Sequence, residues 1–174
     1  MSGQKVILMS ENRSQGTPGF GEILGMILQN LIVAIVTLWL AQKICGATII
    51  VSPRFLPADI DPEQAQQLTF WMMLPGAALG YSYLRIWLIQ QGRARGVAWG
   101  SAFLYGVLIA FANVPLAGFI IGSLMESPIL GLLLALVSLL MIPATALTMI
   151  VYGLVMGGYN AGRAQRYLDR SIGT

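Results

Sequence analysis

Four long apolar runs separated by short polar stretches constrain this chain more than any other feature. They cover about residues 23–43, 68–89, 97–124 and 129–156. A helix crosses a bilayer with about 20 mostly apolar residues at 1.5 Å of rise each, and every run meets or nearly meets that length. Hydrophobic residues make up 56% of the chain and charged residues 10%, with a mean hydropathy of +0.74. A soluble domain carries about 25% charged residues, so this chain has too little charge to cover a water-facing surface. The expected fold class is all-α: a polytopic integral membrane protein with four transmembrane helices in a compact bundle.

The runs divide the chain into a cytoplasmic N-terminal segment (1–22), a transmembrane domain (23–156) and a basic cytoplasmic tail (157–174). The outer loop, 52–67, carries Pro53, Pro57 and Pro62. Within it, Asp61-Pro62-Glu63 reads as a helix start, with Asp as N-cap, Pro at the first helical position and an acid in the first turn. The connection from Met125 to Pro128 is a tight turn, so spans three and four form an antiparallel hairpin. Each is roughly 42 Å long as a helix against about 30 Å of hydrocarbon, and Pro115 and Pro143 are the expected kink sites.

Orientation follows from the basic residues. Of the 10 Lys and Arg, eight fall on one side: Lys5, Arg13, Arg85, Arg93, Arg95, Arg163, Arg166 and Arg170. Only Lys43 and Arg54 fall on the other, beside Asp59, Asp61, Glu63 and Glu126. The positive-inside rule then places both termini in the cytoplasm and the protein in the cell (inner) membrane. Trp39, Trp71, Trp87 and Trp99 each lie near a span end, as interfacial aromatics do. The net charge of +3 thus reads as a topology signal, and no nucleic-acid partner is expected.

Most chemistry is disfavoured by composition. The chain has no histidine and one cysteine, Cys45, too few to build a zinc site, an iron–sulfur cluster or a bis-histidine haem. No Asp or Glu lies mid-span, whereas proton relays and ion-coupled carriers rely on intramembrane titratable groups. The cluster Asp59/Asp61/Glu63 is accounted for by helix capping. No catalytic residue, metal or cofactor is expected, and the chain reads as a non-enzyme.

Two patterns remain. The first is glycine spacing: Gly21/Gly25, Gly76/Gly80, Gly92/Gly96, Gly96/Gly100, Gly118/Gly122, Gly153/Gly157 and Gly158/Gly162 are pairs four apart. Such pairs make a groove in which a neighbouring helix packs closely. Gly76, Gly80, Gly118, Gly122, Gly153 and Gly157 are the candidate helix-packing residues; the simpler reading is that these grooves hold the chain's own four helices together, and the sharper one that some face outward and dock other helices. At least one of the pairs Gly76/Gly80 and Gly118/Gly122 is expected to dock a partner helix. The second is a set of polar residues at one depth near the inner side: Gln29, Asn30, Ser82, Thr145 and Thr148, capped by a snorkelling Arg85. Interhelical hydrogen bonding is the simpler reading of that layer, and a lined cavity the sharper one.

Together these favour a non-catalytic integral membrane subunit that packs into, stabilises or assembles a larger membrane complex of respiratory, photosynthetic or secretion type. Its partners would be other transmembrane subunits and membrane lipids. The alternative is a small oligomeric channel or carrier using the inner polar layer.

Overall fold

The computed structural model describes residues 18–45, 61–91, 95–125, 127–140 and 142–172. The described residues are helical, with no strand among them: α1 (Phe20–Cys45), α2 (Pro62–Gln91), α3 (Arg95–Met125), α4 (Pro128–Leu140) and α5 (Ile142–Ile172). Most of the N-terminal segment and of the 52–67 loop, together with Gly92 and Glu126, lie outside the described residues.

Local chemistry sets the helix starts. The Gly19 N–H donates to Glu22 Oε2 at 3.0 Å, and the Ile23 N–H donates to the Gly19 carbonyl. This is half of a capping box, satisfying donors that a first turn leaves unpaired. Helix α2 begins at Pro62, and the Asp61 carbonyl accepts from the Ala65 N–H. Ser127 caps α4: its hydroxyl accepts from the Leu130 N–H and its carbonyl from the Gly131 N–H, with Pro128 at the first helical position.

Three segments are long and apolar enough to cross a membrane: Phe20–Cys45, Trp99–Met125 and Ile142–Arg170. The four expected runs differ from this in two ways. Helix α2 is 30 residues long but less apolar, because its 68–89 stretch carries Thr69, Pro75, Tyr81, Ser82, Tyr83 and Arg85. It packs against α1, α3 and α5, an enclosure that leaves it less surface to face lipid. The run 129–156 is not one helix. A 13-residue α4 precedes α5, and Pro143 falls in the first turn of α5, where its missing N–H has no helical partner to lose. Pro115, by contrast, lies inside α3.

The expected tail is also helix. Helix α5 runs to Ile172, because residues 157–170 keep a face of Asn160, Ala161 and Ala164 buried against the bundle.

Side-chain contacts give the helix directions. Gly76 faces Asn113, Gly80 faces Ile109, and the Tyr81 hydroxyl donates to the Gly106 carbonyl at 2.8 Å. Positions that rise on α2 meet positions that fall on α3, so the two run antiparallel. Helices α4 and α5 lie along α3 in the same reversed order, with Gly131 against Gly122, Leu134 against Gly118, Gly153 against Gly106, and Gly157 against Ala102. Asn30 meets Ser82 on α2, and Thr37 Oγ1 lies 3.3 Å from Met156 Sδ on α5. Helices α1 and α3 therefore point one way and α2 and α5 the other. Tyr81 and Tyr152, both fully buried, meet edge to face at the centre with ring centroids 5.9 Å apart.

Candidate functional site

Near one end of the bundle, a buried arginine gathers polar side chains from three helices. Arg85 is 3% exposed. Its Nε–H donates to Asn160 Oδ1 at 2.9 Å, and its Nη1 donates to Gln29 Oε1 at 3.0 Å. Its Nη2 stands 3.5 Å from Asn30 Oδ1, the outer limit for such a bond. Three amide oxygens thus account for three of the five N–H groups of a guanidinium.

Two of the three amides are held by a second bond of their own. Asn160 Nδ2 donates to the Met156 carbonyl at 2.9 Å. Asn30 Nδ2 donates to Ser82 Oγ at 3.0 Å, and Ser82 in turn donates to the Ala78 carbonyl at 2.6 Å. These bonds fix which way the Asn30 and Asn160 amides point, so that their oxygens face the cation. The guanidinium carbon also lies 5.4 Å from the ring centre of Tyr159, and that of Arg163 lies 5.6 Å from the same ring. A cation over a ring face is stabilised by the quadrupole. Every one of these partners of Arg85 is neutral.

Beside this cluster a cavity of about 260 Å³ opens between α1, α2 and α5. Its polar lining comes from Glu22, Gln29, Arg85, Arg163, Arg166, Tyr167 and Arg170. Gly25, Met26 and Ile89 complete the wall. Arg163, Arg166 and Arg170 recur at three and four positions along α5, which puts them on one face.

The structure brings together four members of the expected polar layer, Gln29, Asn30, Ser82 and Arg85. Thr145 and Thr148 are elsewhere. Thr148 precedes Asn160 by twelve positions on α5, about 18 Å along the axis, and Thr145 donates to the Ile142 carbonyl in the first turn. Their expected depth was measured from an inner boundary at Met156, whereas the helix continues to Ile172. Tyr159 and Asn160, expected in the tail, lie on the same continuous helix. The signal for them was the spacing of Tyr159, Asn160, Arg163, Arg166, Tyr167 and Arg170, which carries one polar helical face past the apolar run.

The six packing glycines all face the chain's own helices. A methyl group at Gly122 would lie 2.7 Å from the Gly131 Cα, and one at Gly118 would lie 2.8 Å from the Leu134 carbonyl oxygen. At Gly153 and Gly157 it would meet the α3 backbone at Val107 and Ala102; at Gly76 it would meet Asn113 and at Gly80 Ile109. The expected outward docking at Gly76/Gly80 or Gly118/Gly122 is replaced by closure within the bundle, since these faces are already filled. Gly21 and Gly25 have nothing within 4 Å.

Among the described residues no group of His, Cys, Asp and Glu is placed to hold a metal ion. No protein family, curated protein or solved structure matches the chain.

Proposed function

We propose that this is a four-span inner-membrane protein with both termini in the cytoplasm, serving as a non-catalytic integral subunit of a larger membrane assembly. In this reading α2 is the second span, shielded by its neighbours. Helix α4 and the first part of α5 make the fourth, returning along α3 as a hairpin. The alternating helix directions support it, since they bring the start of α1 and the end of α5 to the end that carries Arg163, Arg166 and Arg170. A basic end of that kind faces the cytoplasm under the positive-inside rule.

The observation that carries the subunit role is the outer row of α1. Phe20, Leu24, Leu28, Ile32, Val36, Leu40 and Ile44 are all exposed at intervals of four. Helix α1 buries a smaller share of its apolar window than α3 or α5, so of these three it leaves the largest share uncovered for neighbouring subunits. A photo-crosslinker at Ile32 or Val36, in the cell membrane, is expected to capture another membrane protein, and a tagged copy in mild detergent to migrate with it. Recovery of the chain alone, with lipid adducts only, would reject the subunit role.

The alternative, a small channel or carrier, draws on the cavity at Arg85. Buried Tyr81 and Tyr152 fill the bundle axis beyond that cluster, which favours a blind pocket over a passage. Flux through proteoliposomes that is lost when Gln29, Asn30 and Ser82 are made apolar would reverse that preference.

A further inference from the structure

We infer that the cavity beside Arg85 is a binding site for a phosphate group, carried either by an anionic lipid headgroup or by a soluble phosphate compound. The lipid source rests on the membrane reading above; the site itself does not. Four arginines line the cavity, and Glu22 is the single acid there. That carboxylate accepts from the Gly19 N–H and supplies one negative charge against the four guanidinium groups, so the lining keeps a net positive charge. Arg85 is buried among amides and a phenol ring, none of which neutralises it.

A buried cation without a counter-charge is costly, and intramembrane arginines normally find a partner. Arg163 adds a second guanidinium on the same tyrosine ring, which raises the local positive potential further. An anion in the cavity relieves both the unpaired charge and the repulsion. Guanidinium groups in a cluster suit phosphate in particular, because their planar forks match its oxygens two at a time. The apolar wall of Met26 and Ile89 gives the uncharged part of such a ligand a place to lie. Arg166 and Arg170 are more exposed than Arg85, so they form the entrance and Arg85 the floor.

The test uses the full chain in nanodiscs of phosphatidylcholine, with or without added phosphatidylglycerol, and separately with inorganic phosphate titrated into phosphatidylcholine discs. Thermal midpoint and native mass spectrometry are read together. Phosphatidylglycerol or inorganic phosphate is expected to raise the midpoint of the wild-type chain. The double variant Arg166→Gln/Arg170→Gln is expected to bind at least about tenfold more weakly. Lys43→Gln, at the opposite end, should bind as the wild type does. Arg85→Gln should lose binding as well, and the double variant decides the matter if Arg85→Gln does not fold. A response to phosphatidylglycerol alone assigns a lipid headgroup; a response to inorganic phosphate assigns a soluble ligand. No response to either probe overturns the site, as does undiminished binding by the double variant or equal weakening by Lys43→Gln. Should the chain fail to enter discs, the membrane reading falls, and the phosphate titration in detergent still decides the site.

Discussion

The Arg85 guanidinium donates to the Asn160 side chain at 2.9 Å, joining α2 to α5 across 75 positions of sequence. That bond is the closest of the amide contacts around the buried cation, and it depends on α5 continuing well past its apolar part. Asn160→Ala should therefore strand a charged donor inside the bundle and lower stability by about 1–3 kcal/mol. Unfolding in detergent measures it. In an Arg85→Met background the same substitution should cost much less, since the donor has gone; equal losses in both backgrounds would mean that the two residues are not coupled.

Tyr81 and Tyr152 make a second comparison, because the two rings touch but only one hydroxyl has a partner. Tyr81 donates to the Gly106 carbonyl, while the buried Tyr152 hydroxyl has none. Tyr81→Phe should cost about 1 kcal/mol. Tyr152→Phe should be neutral or stabilising, since it removes a buried polar atom that bonds to nothing. A larger loss from Tyr152→Phe than from Tyr81→Phe would contradict this geometry.

The glycines separate into filled and open positions. Gly122→Ala places a methyl against the Gly131 backbone and should destabilise the isolated protein by about 1–3 kcal/mol. Gly25→Ala meets nothing and should be neutral or stabilise by up to about 1 kcal/mol through helix propensity. Gly76→Ala should be harmful in the wild type and milder in an Asn113→Ala background, because the nearest obstructing atom belongs to Asn113, with Leu116 Cδ2 next at 2.8 Å. Midpoints of thermal unfolding in detergent give all three.

Topology is tested by thiol labelling in intact cells lacking Cys45. Cysteines at Ser14 and Ser171 should resist a membrane-impermeant reagent, whereas one at the exposed Gln64 should react. The opposite pattern would invert the orientation argued from the arginines.

Hydropathy and length by themselves determined that this chain makes long apolar helices, because about 20 apolar residues in a row have few other stable outcomes. Local capping chemistry was equally legible: Asp61-Pro62 marks the start of α2, since capping needs only residues adjacent in sequence. The end of α5 was not legible in the same way. Its last turns are polar, and they stay helical with Asn160 packed beneath Arg85, a contact that no local pattern contains. The glycine pairs show the same division. Their spacing declares that some helix will come close, but an i,i+4 groove does not say whose. Tertiary structure decided that Gly118 and Gly122 meet α4 and that Gly153 and Gly157 meet α3. It also decided that Gln29, Asn30 and Ser82 gather with Arg85 while Thr145 and Thr148 do not. Close packing and buried charge are settled by which faces meet in three dimensions, and a one-dimensional sequence states the faces without stating the meeting.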